Sequence, residues 1–359
     1  MNNIVIDTYK DGDEIGINNL FNSVFNQNRD LREWEWKFRK CPIDAKPFIV
    51  LAKDKNKIVG QYASVSYYLK YQDIVVKMTQ PVDTIVHEDY RGGVKGVLVK
   101  MFLKSEETWR DNGIDVSFGF PNREHHIFGK RLLKYNDLIE METLFKRLSW
   151  RLALKKRVNM PLLIDLAGWM SRFMTRVSIA IKKKPIRGIQ YRWLRDFDER
   201  IDLFWEKISE QYSIMVKRDF AYLNWRYCKK PNNDYHILQA EKDGNIIGII
   251  IVKYEDREDR EGARVGFIME CIAIKEPHLM ENLLRRGLIF LSQNKVDYVL
   301  CRLSSGDLVK NIFYKMGFLP KEGIWDSNIV YKVYSSNVDD SILKDPSMWH
   351  ISFGDCDSL

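Results

Sequence analysis

The chain has 359 residues, enough for two domains of ordinary size; it is 45% hydrophobic and 13% aromatic, no 20-residue stretch is apolar and free of charge, and the N-terminus shows no signal-peptide pattern. The net charge is +8, but residues 146–187 hold twelve Lys/Arg against one acid, Asp165, so the remainder is slightly acidic and a nucleic-acid partner is not expected. Five scattered cysteines (41, 228, 271, 301, 356) form no metal-type pair, so the expectation is a reduced, cytoplasmic protein without a metal.

In chain order, a short strand (Ile4-Val5-Ile6) precedes a helix whose apolar stripe is Ile15, Leu20, Phe21, Val24 and Phe25. A second helix covers Asp30–Arg39 with Trp34, Trp36 and Phe38, and Cys41-Pro42 ends it. Strands Phe48–Ala52 and Ile58–Tyr68 flank the polar turn 53–57, and another lies around Ile74–Met78. Next come a β-branched run (Val82–Val86), a polar turn with Arg91, Gly92 and Gly93, and apolar positions Val97, Leu98, Met101 and Phe102 at helical spacing. Strand, glycine-bearing loop and helix start is a geometry that holds a phosphate, because the first helical N–H groups are unpaired and glycine lets the backbone approach the anion. It is equally the pattern of an ordinary strand-to-helix turn, and both readings stand at this point. A strand Val116–Gly119 and the loop Phe120-Pro121-Asn122 follow.

The chain repeats itself. Trp36-Lys37-Phe38-Arg39-Lys40-Cys41-Pro42 matches Trp225-Arg226-Tyr227-Cys228-Lys229-Lys230-Pro231, and 52–60 matches 240–248 around a shared Lys/Asn-rich turn and a final glycine. Asp83-Thr84-Ile85-Val86 falls opposite Glu270-Cys271-Ile272-Ala273, and the cluster 128–135 opposite 313–318. The copies part where it matters: Arg91–Gly96 faces Lys275–Met280, which lacks glycine and carries Glu276 and Pro277. An acid repels phosphate and a proline removes a donor. The expected domains are therefore 1–145 with a working loop, a basic connector at 146–190, and a degenerate copy at 191–359.

Together these landmarks resemble the GNAT superfamily of acyl-CoA N-acyltransferases in a tandem arrangement. The loop resembles the family's [QR]-x-x-G-x-[GA] pattern: Arg91 and Gly96 match its ends, and Val94 stands at the inner glycine, with Gly93 adjacent. Tyr314-Lys315-Met316-Gly317-Phe318 resembles the family's late turn, with Phe313 and Phe128 where tyrosine is usual. The resemblance implies an α/β (α+β) fold of two domains, each a mixed, largely antiparallel sheet flanked by helices. It implies acetyl-CoA as co-substrate, held by Arg91, Gly92, Gly93, Val94, Lys95, Gly96 and Asn122, with the main chain of Thr84, Ile85 and Val86 pairing to it like an added strand. The implied reaction is direct attack by a primary amine, of an amino sugar or a related small molecule. An ammonium must first lose a proton; the candidates are Asp83, His125 and His126, with His87 and Glu88 behind them. Tyr135 is a substitute donor for the leaving thiolate. Competing classes are a non-catalytic binding module and a Fem-like aminoacyltransferase.

Two segments remain. Residues 161–181 place Leu162, Leu166, Trp169, Phe173 and Val177 on one helical face between basic runs. The plainer reading is a helix packed between domains; the sharper one is peripheral contact of residues 155–184 with an anionic bilayer. The C-terminal tail alternates apolar and polar residues before Asp355 and Asp357, which reads as an edge strand or as a segment folded back so that one of these acids meets a cationic substrate.

Overall fold

A computed structural model describes residues 4–356 except 44–45, 93–95, 156, 158–159, 182–185, 277, 308 and 324–327. The first half runs β1 (Ile4–Thr8), α1 (Asp13–Phe25), α2 (Leu31–Trp34) extended by a π-helical turn (Glu35–Arg39), β2 (Phe48–Asp54), β3 (Lys57–Tyr71), β4 (Ile74–Val86), α3 (Val97–Asp111), β5 (Val116–Gly119), α4 (Arg123–Phe128) extended by a second π-helical turn (Gly129–Leu133), and β6 (Asn136–Arg147). Two helices follow, α5 (Arg151–Lys155) and α6 (Pro161–Ile181). The second half runs β7 (Ile189–Leu194), α7 (Arg200–Ser209), β8 (Ile214–Val216), α8 (Phe220–Leu223) extended by the π-helical turn Asn224–Cys228, β9 (His236–Lys242), β10 (Asn245–Arg257), β11 (Ala263–Ala273), α9 (Leu279–Gln293), β12 (Tyr298–Ser304), α10 (Lys310–Lys315), β13 (Leu319–Pro320), β14 (Asn328–Val333) and α11 (Asp340–Leu343).

The strands form one mixed, mostly antiparallel sheet in the order β1-β2-β3-β4-β5-β14-β6-β12-β11-β10-β9-β7, with β13 beside β6 and β8 beside β3. The order is the same architecture read from either end. Each half has one parallel pair, β4 with β5 and β11 with β12, joined through α3 or α9. The last strands are exchanged: β6 leaves the first half to pair with β12, and β14 returns from the second half to pair with β5. Sequence boundaries at 145 and 191 therefore divide the chain by order, while hydrogen bonding crosses them.

The sequence repeat meets at the centre. The Trp36 and Trp225 rings stack at 5.1 Å, and each indole N–H donates to the other's main-chain carbonyl, at 2.6 and 2.8 Å. Both tryptophans sit in π-helical turns, which widen the helix just where it meets its counterpart. The repeat also extends further back than the tryptophan motif: Arg29-Asp30-Leu31 precedes the first copy as Arg218-Asp219-Phe220 precedes the second, and Asp30 and Asp219 each cap the short helix that follows.

Some local expectations shift. In α1 the anchors are Ile17 and Leu20, whereas Ile15 and Phe25 are exposed. The two strand segments at 74–78 and 82–86 are one strand, because Pro81 is accommodated within it. The alternating C-terminal tail is not an edge strand: Trp349, Ile351, Phe353 and Cys356 are all buried.

Candidate active site

β4 pairs with β5 only at Met78↔Val116 and Thr79↔Ser117. Beyond that point the strands part, where Pro81 lies beside Gly119. A cleft of about 620 Å³ opens in the gap. It runs from Phe21, Arg29 and Lys37 on the α1–α2 side to Leu98, Tyr62 and Tyr135 on the α3 side, and Arg226 and Lys230 of the second half complete its wall.

A β-bulge shapes the free edge of β4. Gln61 pairs with Ile85 and Ala63 with Val82, so Tyr62 faces two residues, Asp83 and Thr84. Asp83 takes up the extra length in the left-handed region (φ 47°), a conformation that Asp tolerates better than most side chains. The Gln61 side chain donates to its carbonyl at 2.8 Å. His87 N–H bonds back to Val59 O, so by alternation Ile85 addresses β3 while the main-chain groups of Thr84 and Val86 turn to the open side. Arg91 Nε bonds Val86 O at 3.2 Å.

The Asp83 carboxylate is buried and held by Arg29 at 2.5 Å and Lys37 at 2.9 Å. Burial pushes its pKa up, but the two cations outweigh that and hold it below the usual carboxylate range. Arg29 stacks on Phe21, and its Nη2 has no hydrogen-bond partner among the described residues.

Across the cleft, Asn122 caps α4 by accepting from His125 N–H at 2.8 Å, and its Oδ1 lies 3.1 Å from His125 Nδ1. Partial loss of hydration lowers the His125 pKa below 6.5. His126 does not line the cleft; its Nε2 pairs with Asp137 at 2.5 Å. Tyr62, which no motif singled out, meets the thiolate-donor candidate Tyr135 O to O at 3.0 Å in the cleft wall, and burial raises both pKa values. The left-handed residue before Tyr135, Lys134, corresponds to Gly317 before Phe318, so Tyr135 occupies the place of the phenylalanine in the second copy.

At the far end, Gly96 caps α3 with no side-chain cap, and Gly92 folds back on it: a Cβ there would lie 3.4 Å from Gly96 Cα. Gly93, Val94 and Lys95 lie outside the described residues. Of the other candidates, His87 caps the turn at Glu88–Tyr90. Among the described residues no cluster of His, Cys, Asp and Glu is arranged to hold a metal ion.

The second half has the same gap but not the same space. Glu270 stands where Asp83 does, and Arg218 binds it at 2.9 Å as Arg29 binds Asp83. Here, however, the chain's own tail lies in the gap. Ser352 bridges to Leu303 of β12, and Asp355 places its carboxylate 2.7 Å from Arg218. Asp355 is thereby committed to a buried arginine and to the Ser352 N–H, so it does not meet a cationic substrate; Asp357 lies outside the described residues. Gly354 passes so close that a Cβ would come within 2.1 Å of Glu270 Oε1 and Tyr227 OH. The tail's carbonyls reach the open cleft's wall: Asp355 O accepts from Gln80 at 3.2 Å and Cys356 O from Arg226 at 2.8 Å.

Comparison with known proteins agrees with this geometry. Residues 5–131 match the family model for an acetyltransferase (GNAT) domain. No curated protein matches the chain. Among solved structures, it is similar to a conserved protein of unknown function from Enterococcus faecalis V583, described as a probable N-acyltransferase (TM-score 0.64, 11% identity, 93% of this chain and 73% of that one). It is also similar to GCN5-related N-acetyltransferases from Anabaena variabilis (0.63, 10%, 92% and 72%) and Kribbella flavida (0.58, 12%, 92% and 71%). At these identities the likeness is one of fold.

Proposed function

From the match of residues 5–131 to the GNAT acetyltransferase domain model, we propose that the protein transfers an acetyl group from acetyl-CoA to a primary amine of an amino sugar or related small molecule, by direct attack. The observation that carries this reading is the unpaired edge of β4 beside a through-sheet cleft, with the N-terminus of a 15-residue helix at one end.

The residues present fit the co-substrate. The first N–H groups of α3 have no partner within the helix, and Gly92 and Gly96 leave room for a pyrophosphate to approach them, as Arg91 and Lys95 add positive charge. The open main chain of Thr84 and the N–H of Val86, whose carbonyl is held by Arg91, offer an extended ligand a strand to pair with. Bound there, acetyl-CoA supplies the activated acyl group. A main-chain N–H at the bulge would stabilise charge developing on the carbonyl oxygen. Aligning the two reactants in one cleft supplies a further part of the rate.

His125 serves as the base. Its lowered pKa leaves it neutral at pH 7, and an Nδ1–H donated to Asn122 makes Nε2 the proton acceptor. Asp83, ionised and held by two cations, is a weak acceptor and instead fixes the bulge. His126 is committed to Asp137. Tyr135, with its proton retained, presents an O–H to the leaving sulfur, oriented by Tyr62.

The test is calorimetric titration with acetyl-CoA followed by steady-state turnover on a panel of amino sugars. His125→Ala should cut turnover about 10²–10⁴-fold without changing acetyl-CoA affinity. The acid limb of the wild-type profile should fall below pH 6.5 and disappear in the variant. Absence of acetyl-CoA binding overturns the transfer reading; full activity of His125→Ala overturns the choice of base alone.

A further inference from the structure

α6 is a 21-residue helix with an inverted surface. Its inner side, through Ile164, Gly168 and Ile179, is buried, and the helix lies against α9, where Ser292 Oγ donates to the Arg172 carbonyl at 3.4 Å. On an ordinary surface helix the opposite side is polar. Here it carries Leu162 (87% exposed), Leu166, Trp169 (56%), Phe173, Met174 (64%) and Val177, all facing solvent. Trp169 and Phe173 stack parallel at 5.8 Å and form a single aromatic plate. So large a contiguous apolar face marks a contact surface.

The charge around this face selects the occupant. Exposed Lys155 and Arg157 precede the helix and exposed Arg187 follows it, while Lys182-Lys183-Lys184 continue directly from its end in sequence. Asp165 is the only acid between 146 and 187. Apposing this face with a second copy of itself would bring basic ends onto basic ends, which costs like-charge repulsion. An apolar stripe of Leu, Trp and Phe bracketed by lysine and arginine is complementary to an anionic lipid surface, where the stripe enters the acyl boundary and the cations stay with the headgroups. Spanning is excluded for α6, because Arg172 and Arg176 interrupt it, and no described helix is long and apolar enough to cross a membrane.

We infer that α6 docks this protein on the surface of an anionic bilayer, lying in the interface with Leu162, Leu166, Trp169 and Phe173 inserted. The inference is independent of the acyl-transfer reading.

The experiment is sedimentation of the full chain with vesicles of phosphatidylcholine alone and of phosphatidylcholine mixed equally with phosphatidylglycerol, across a salt series. A Trp169→Glu/Phe173→Glu variant runs in parallel. Both side chains are exposed, so the variant should melt like wild type. Wild type should pellet with the anionic vesicles, about tenfold or more weakly with neutral ones and at high salt, and the variant should lose about tenfold or more of the anionic binding. No pelleting, equal pelleting on neutral vesicles, or an unaffected variant overturns the inference. So does a dimer, seen by light scattering, that the same substitutions dissociate.

Discussion

The two halves place the same buried ion pair at the same point of the same sheet, Arg29 with Asp83 and Arg218 with Glu270, yet only one pair looks into open space. In the first half the cleft keeps its volume, and Arg29 has an N–H unmatched among the described residues. In the second, residues 352–356 lie in the gap, and Asp355 supplies Arg218 with a second carboxylate. The difference teaches that a duplicated site is closed most simply from within: the chain's own carboxylate takes the position that a ligand would need. The helix start tells the same story. Neither helix has a side-chain cap, but α3 starts at Gly96 and α9 at His278, held in the left-handed region, with the N–H of Leu279 turned back to Glu276 O.

The comparison breaks first at Arg218. Arg218→Met leaves Glu270 and Asp355 buried with no cation between them, and the loss should be about 3–5 kcal/mol by urea unfolding. A loss below ~1 kcal/mol would mean that the tail is only loosely seated. Gly354→Val is next, because its Cβ would overlap Glu270 and Tyr227; the tail must lift or the core must shift, at roughly 1–3 kcal/mol. Since Arg226 and Gln80 bind the tail's carbonyls, the same variant should also weaken substrate binding in the open cleft, read as a raised KM.

Asp83→Asn sharpens the contrast through pH. The wild-type pKa is depressed, so the carboxylate's contribution to stability is complete above the ordinary value of 3.8 and is lost as pH falls through the lower folded-state value. The variant should be less stable than wild type by roughly 1–3 kcal/mol at neutral pH, with the gap closing only below about pH 4. Thermal unfolding from pH 7 to 3 checks this. The smallest expected effect is that of Glu276→Gly. Removing the acid does not empty the second cleft, so calorimetry should still give one acetyl-CoA per chain; two sites would show that loop chemistry, not the tail, closes the second half.

Much of this was legible in the sequence. Helical spacing found the 161–181 helix with the bounds the structure has, the family resemblance placed a strand at Val116–Gly119, and the tryptophan repeat pointed to two copies of one unit, whose strand orders mirror each other in the sheet. The Arg29 and Arg218 positions are written in the sequence too, as Arg-Asp-[Leu/Phe] seven residues before each tryptophan. Other features were not. The strands at 136–147 and 328–333 were not read from the sequence, and a strand's partner is in any case decided by contacts that no local pattern encodes. That two cations hold the Asp83 carboxylate was not legible, because they lie 46 and 54 residues away. The tail read as edge strand or ligand-facing arm because alternation does not distinguish a sheet edge from a gap already lined with matching groups.

The exchanged strands bear on how the molecule comes into being. β5 is complete at Gly119, yet its neighbour Val330 lies more than 200 residues downstream. During synthesis the first sheet must wait, with one edge bare, until residues 328–333 have left the ribosome. Unpaired edges of that kind are where misassembly begins. Closing so long a loop is also slow, so folding should be limited by a late, chain-length-dependent step. Neither half is a fragment that can be expressed on its own: cutting the chain between them would leave each with a strand that belongs to the other.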